Sequence, residues 1–573
     1  MIEIGEVMKE HKKWILLLFA MTMLLLLPMF LSKPLYGHDI SYHLSNIEVL
    51  AKYLSWDLWK QGFHIIPEIA NDLGYGIGIF YPMLPHLLGA FLYKIIAWFD
   101  LPSIISLYGL YTMIMFGSSI LVYFISLEIQ PEKRIAFCSA FLYSTMPYLW
   151  SNFFTRFSLN ENFVFLFFPM VILGLLQLLK HDHRAFYLFF IIGYVGLLFS
   201  HLVLSMFLSL LLLPALIIYR KQVFQITCLK PLIIAILVVS ILVLPDLILL
   251  LEHRLTGAYL VFQDHVMTSL GLVEAETIPL FHFIAKNANY DWVVAYFIPM
   301  TTIILFLCST YYLYRHRKEH QHLCYFYCLT ILTLWMTSSI FPWHLMPKVT
   351  WMIQFPWRLM TIAILPIAVL APCCLLYGTR NHHLPWLVPT IIILSLVLNL
   401  SLFTGIQGRR YHLDRYYLPG NANQALGHQT EYLPVLAQTN YMTREKHIIV
   451  LAGTATAEVL QNHGDQLQFT IQDTLGHVTI ELPKLYYKGY LLTDEEGNHY
   501  PLTMSTSGYL ETTIMHEGIY TLRYQGTGMY LFLRVIRLLV IISGSIYFLI
   551  KVGRMYRSIG NFNKKKIFCI KKG

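Results

Sequence analysis

The stretch Trp14-Ile15-Leu16-Leu17-Leu18-Phe19-Ala20-Met21-Thr22-Met23-Leu24-Leu25-Leu26-Leu27-Pro28-Met29-Phe30-Leu31 has no ionisable side chain, and soon after it comes Gly37-His38-Asp39-Ile40-Ser41-Tyr42-His43. An apolar run of this length approaches the ~20 residues that cross a bilayer as a helix. Lys9, Lys12 and Lys13 precede it. Basic flanks stay in the cytoplasm, so the run enters the membrane from inside and delivers Asp39 to the outer face. Ser32-Lys33-Pro34-Leu35 follows where a secretory leader has a small-residue cleavage site, so the run reads as a retained helix. An acid and two histidines at such a boundary are costly, and groups placed there usually carry function.

The same pattern recurs along the chain. Of 573 residues, 57% are hydrophobic and 13% charged, and the mean hydropathy is +0.57. A soluble chain carries roughly 25% charged residues. Apolar segments lie near 14–32, 79–98, 102–127, 134–150, 162–180, 185–200, 202–219, 231–251, 292–314, 323–341, 359–378, 385–405 and 529–551. Arg220-Lys221, Arg315-His316-Arg317-Lys318 and Arg380 mark inner loops, leaving 33–78, 252–291, 342–358 and 406–528 outside, with 151–161 joining them. Lysines at both ends place both termini in the cytoplasm, which requires an even number of crossings. One segment of the list is therefore no simple crossing, and 79–219, with its short, weakly charged loops, is where to look.

The expected architecture is a polytopic α-helical membrane protein of about 12–14 spans. A membrane domain covers 1–405, with its first outer loop at 33–78; a β-rich outer domain covers 406–528; the last span and a basic tail cover 529–573. The net charge of +9 is concentrated in that tail, at Lys551, Arg554, Arg557, Lys564, Lys565, Lys566, Lys571 and Lys572. Beside a span this reads as a positive-inside anchor and not as a nucleic-acid site. The eight cysteines avoid 406–528, which argues against a disulfide framework.

The region 406–528 has a different texture. Leu467-Gln468-Phe469-Thr470-Ile471 and His477-Val478-Thr479-Ile480-Glu481-Leu482 alternate apolar and polar residues, and Gly476-His477, Glu496-Gly497-Asn498 and Glu517-Gly518 punctuate them. Period two with such turns predicts short antiparallel strands, enough for a small β-sandwich.

Asp39 opens a segment in which Leu44, Ile47, Leu50, Ala51 and Leu54 recur at helical spacing. This predicts an amphipathic interfacial helix with Asp39, His43 and Asn46 along one face. The carboxylate could take a proton from an attacking hydroxyl, with His38 and His43 orienting it or binding a divalent ion. The competing reading is a helix N-cap. The loop adds His64, Glu68 and the Gly74-Tyr75-Gly76-Ile77-Gly78-Ile79-Phe80-Tyr81-Pro82 stretch, whose glycines read as turns. Three further constellations are Thr155-Arg156-Phe157-Ser158-Leu159-Asn160-Glu161-Asn162, Ser200-His201 and Gln354-Phe355-Pro356-Trp357-Arg358. Arg156 and Glu161 could form an ion pair or bind phosphate and sugar; Arg358 could snorkel or hold phosphate with its planar guanidinium. There is no Walker loop, His-Glu-x-x-His or Gly-x-Ser-x-Gly elbow, which sets aside nucleotide hydrolysis, zinc-peptidase and serine-hydrolase chemistry.

Taken in order, Gly37-His38-Asp39 with His43, the Gly-Tyr-Gly to Phe-Tyr-Pro stretch at 74–82, Arg156 with Glu161, Ser200-His201, Phe355-Pro356-Trp357-Arg358 and Leu482-Pro483-Lys484-Leu485-Tyr486-Tyr487-Lys488-Gly489-Tyr490 resemble a bacterial membrane family. It is the family labelled 6-pyruvoyl-tetrahydropterin-synthase-related, with the YfhO-like proteins more distant. Both are similar to the GT-C glycosyltransferases. The pterin label carries no function here, because nothing resembles the small soluble pterin enzyme. The resemblance implies a GT-C-like membrane domain in a bacterial plasma membrane and an inverting sugar transfer on the exoplasmic face. A polyprenyl-phosphate sugar would be the donor, and an envelope glycan, lipid or protein the acceptor. It implies Asp39 as base with His38 and His43 beside it. Arg358 and Arg156 would hold the donor phosphate, and Glu161, His201, Glu68 and Tyr81 would contact acceptor or sugar. The superfamily often has a second acid beside the first; His38 stands there instead, which leaves a divalent ion open. A transporter or flippase of lipid-linked glycans and a non-catalytic scaffold are the competing classes. Ionisable residues gathered on the outer side, with no repeated halves, favour the enzyme.

Overall fold

The computed structural model describes residues 2–31, 33–34, 37–263, 268–280, 300–318, 320–378, 397, 413, 417–426, 430–474, 476–546 and 550. The segment expected at 385–405, apart from position 397, and the tail from 551 lie outside the described residues.

The chain is a helical membrane domain capped at one end by a β-sandwich. The longer described helices are α1 (Ile2–Leu31), α2 (Ile40–Tyr53), α3 (Leu84–Ile96), α4 (Ile104–Ile129), α5 (Lys133–Ser144), α6 (Leu159–Leu179), α7 (His183–Leu198), α8 (Leu202–Ile218), α9 (Ile226–Arg254), α10 (Met300–His316), α11 (Gln321–Thr337), α12 (Met360–Gly378) and α13 (Gly528–Ile546). Six stretches are long and apolar enough to cross unaided: Lys9–Leu31, Ile104–Ile129, Leu159–Leu179, Ile226–Arg254, Pro356–Cys374 and Gly528–Ile546. The Pro356–Cys374 stretch is the central staff, 94% of its window being buried, whereas 6% of the α13 window is. Small hydroxyl residues let α4 and α5 approach closely, through Ser119–Ser144 at 2.8 Å and Ser126–Ser139 at 3.1 Å.

The odd crossing is α3. Phe30 near the end of α1 meets Tyr108 near the start of α4, with ring centroids 5.5 Å apart. His11 near the start of α1 bonds Tyr123 at 2.8 Å, and Glu10 pairs with Lys133 just past α4 at 2.8 Å. The two helices are thus antiparallel, and everything between them leaves and returns at one end of the bundle. Within that stretch α3 runs alongside α2: His86 meets His43 at 2.8 Å and Lys94 donates to the Leu54 carbonyl at 3.2 Å. Its 13 residues span about 20 Å, short of a ~30 Å hydrocarbon layer. The apolar segment at 79–98 is therefore a lateral helix.

The β-domain begins later than its sequence boundary. Among the described residues nine strands, β1 (Ile449–Ala452), β2 (Thr456–His463), β3 (Gln466–Gln472), β4 (Val478–Leu485), β5 (Tyr490–Thr493), β6 (His499–Tyr500), β7 (Thr503–Met504), β8 (Tyr509–Ile514) and β9 (Gly518–Tyr524), form two antiparallel sheets, β1-β4-β8-β7 and β2-β3-β9-β5-β6. Leu467, Phe469 and Ile471 of β3 (Gln466–Gln472) face Ile480 and Leu482 of β4 (Val478–Leu485) across one apolar core. This is the alternation that the sequence carries. The segment before the strands serves the membrane domain instead. Leu260 N–H donates to the Leu433 carbonyl at 3.1 Å, Val261 N–H to that of Glu431 at 2.7 Å and Val435 N–H to that of Ala258 at 2.8 Å. The sandwich rests on the first loop, where Lys484 Nζ donates to the carbonyls of Asp72 (2.9 Å) and His463 (2.5 Å) and Leu485 N–H to that of Leu73 (2.9 Å). Gly74 belongs to the same packing, since a Cβ there would lie 2.4 Å from the Gly464 carbonyl oxygen. The six described cysteines are free thiols.

Candidate functional site

At the sandwich end of the bundle lies a cavity of about 900 Å³. Asp39 enters it from the first turn of α2. Its N–H is held by the Arg156 carbonyl at 2.9 Å. The preceding turn fits only without a side chain at position 37, where a Cβ would lie 2.2 Å from the Phe157 ring. Asp39 occupies the N-cap position, yet its side chain makes no capping hydrogen bond. The cap reading therefore does not account for the carboxylate.

His43, one turn on, has both ring nitrogens engaged. Nε2 accepts the Leu159 N–H at 3.1 Å, so the ring proton sits on Nδ1, which donates to His86 Nε2 at 2.8 Å. Burial first, then His86 and Arg156, holds this imidazole well below its ordinary pKa. His43 thus ties α2 to α3 and to the start of α6, and it is not placed to serve as base or metal ligand. His38 lines the cavity.

The cationic wall comes from two breaks in helix geometry. Residues Asn152–Arg156 form a π-helical turn ended by Phe157 at φ +56°, which swings Arg156 inward. Gln354 at φ +56° precedes the short helix Pro356–Leu359 that carries Arg358. The two guanidiniums flank the Trp357 ring, at 4.5 Å for Arg156 and 5.9 Å for Arg358. Between them lies Glu161, fully buried, 2.6 Å from Arg156 Nη1 and 4.0 Å from Arg358 Nε. The Tyr148 and Thr361 hydroxyls also donate to it. One carboxylate faces two arginines, leaving a net positive charge at the wall. Arg358 reaches its other neighbours, the Ile353 carbonyl and Gln354 Oε1, only at 3.4 Å.

These positions correct two expectations. Glu161 backs the cavity and does not line it, because its lone pairs are taken by Arg156, Tyr148 and Thr361. Glu68 lies away from it, captured by Lys52 and Tyr53 of α2. The structure does bring Asp39, His38, His43, Tyr81, Arg156, His201 and Arg358 around one space. His201 caps α8, its Nδ1 accepting the Leu204 N–H at 3.3 Å. Burial and the nearby Asp39 raise the Tyr81 phenol above its ordinary pKa.

No family model matches this chain, and no curated protein matches it in sequence. Solved structures do resemble it. Three of them are of an archaeal oligosaccharyltransferase. AglB from Archaeoglobus fulgidus, in complex with an inhibitory peptide and a dolichol-phosphate, aligns over 70% of this chain and 56% of its own at 14% identity and a TM-score of 0.43. The A. fulgidus oligosaccharyltransferase tethered to an acceptor peptide aligns over 70% and 55% (14%, 0.41), and its apo form over 74% and 61% (14%, 0.43). The match thus spans little more than half the length of those proteins.

Sequence reasoning passed over several lining residues: Glu431, Tyr432, Asn423 and Gln424 from the segment before the sandwich, with Arg254 and Lys348. Only the amide-rich run Asn421-Ala422-Asn423-Gln424 offers a local hint; the rest depends on the pairing of 258–261 with 431–435. Among the described residues no three His, Cys, Asp or Glu side chains gather as a metal-binding group.

Proposed function

We propose that this protein is a membrane glycosyltransferase of GT-C type, using a polyprenyl-phosphate sugar and transferring with inversion on the exoplasmic face. The observation that carries the reading is the meeting of Asp39 with Arg156 and Arg358 in one cavity at the sandwich end of the bundle. Asp39 acts as general base. As the acceptor hydroxyl oxygen attacks the anomeric carbon, its proton passes to the Asp39 carboxylate. The bond from that carbon to the phosphate oxygen breaks, and its electron pair leaves with the lipid phosphate. The phosphate gains negative charge as this happens, and the guanidiniums of Arg358 and Arg156 stand ready for it with little reorganisation. Leu250, Leu272 and Met352 give the cavity an apolar side suited to the lipid chain. Both termini lie in the cytoplasm of a bacterial cell on this reading, and the acceptor belongs to the envelope.

The test compares envelope glycans, by mass spectrometry, from cells with the wild type, a deletion and Asp39→Asn at equal protein levels. The expected outcome is a sugar decoration present in the wild type and absent from both others. A variant that decorates normally, beside a deletion that does not, overturns Asp39 as base and favours transport or scaffolding.

A further inference from the structure

One wall of the cavity plays no part in the transfer step described above. Glu431 projects into the cavity from a backbone fixed by the Val261 N–H, and its half-buried carboxyl makes no hydrogen bond or ion pair among the described residues. Burial raises its pKa above the ordinary range and Arg358 draws it back. Beside it, Tyr432 stacks on Phe80 with centroids 5.5 Å apart and planes at 5°, and Tyr81 lies 6.3 Å away. Asn423 lines the same wall.

Aromatic rings beside a carboxylate and an amide suit a ligand that has an apolar face and many hydroxyls. The rings take its C–H face, the carboxylate accepts from two hydroxyls, and the amide both donates and accepts. A cationic ligand would meet Arg358, Arg254 and Lys348 around the same space. An extended peptide wants a line of backbone donors and acceptors, which side-chain amides and rings do not supply. We propose that Glu431, Asn423 and Tyr432 form the acceptor subsite and that the acceptor is a neutral glycan. The proposal rests on the sugar-transfer reading for its place in the reaction, but its binding claim can be tested separately.

The full chain in lipid nanodiscs is titrated with maltose, N,N′-diacetylchitobiose and a neutral hexapeptide, with binding followed by saturation-transfer NMR. The expected result is that a disaccharide binds and the peptide does not. Glu431→Ala loses at least tenfold in affinity and Glu431→Gln falls between it and the wild type, with thermal stability unchanged in both. Asn423→Ala weakens binding by a smaller factor. Peptide binding without disaccharide binding overturns the glycan assignment, and so does disaccharide affinity untouched by Glu431→Ala. If Asp39→Asn still decorates envelopes while disaccharide binding depends on Glu431, the transferase reading falls and the glycan site stands.

Discussion

Glu161 is the residue on which both arginines of the site depend. Its side chain is fully buried, that of Arg156 is 5% exposed and that of Arg358 18%. Removing one partner of such a cluster strands charge in low dielectric, at a cost of about 3–5 kcal/mol. Glu161→Gln should therefore lower the thermal unfolding temperature of the purified protein in detergent, whereas Asp39→Asn should leave it nearly unchanged. Equal unfolding temperatures in Glu161→Gln and wild type would show that the arginines are compensated elsewhere. The arginines and Asp39 were readable in the sequence because ionisable groups stand out against an apolar chain. Which way each side chain faces was not. The five-residue step from Arg156 to Glu161 crosses the end of a π turn, where ordinary helical spacing misassigns faces. Glu68 sits in a loop at φ +65°, where no periodicity says that Lys52 and Tyr53 will capture it.

At the scale of elements, α3 shows what a hydropathy pattern measures. The run at 79–98 is apolar because α3 packs against α2 and α4, and hydropathy records that environment without recording direction. A Cys at Asp100, in a protein with its native thiols replaced, should react with a membrane-impermeant maleimide from the same side as a Cys at Asp57 in the first loop. Labelling of position 100 only after the membrane is opened would mean that α3 crosses. The strands were legible for the opposite reason: a sheet with one face on a core must alternate, and Leu467, Phe469 and Ile471 do. Residues 430–435 are held by pairing with distant chain, which leaves no periodic trace.

For the whole molecule, the junction between sandwich and first loop sets how firmly the cavity is held. Lys484 is fully buried there among carbonyl groups, and burial lowers its ammonium to about 7. An unfolded lysine titrates near 10.4. Between those values the unfolded chain holds more protons than the folded one, so this group's contribution to stability rises with pH from about 7 to 10 and is flat below. The gain in unfolding temperature between pH 6.5 and pH 9.5 should shrink in Lys484→Met; an equal gain in both proteins would remove Lys484 as its source. The same junction has a consequence in time. Asn46 in α2 donates to the carbonyl of Ala425, 379 positions later, at 3.5 Å. At ribosomal rates of ~5–20 residues per second, the far wall follows Asp39 by roughly 20–80 s. A growing chain thus displays its acid long before the cavity around it has its second wall.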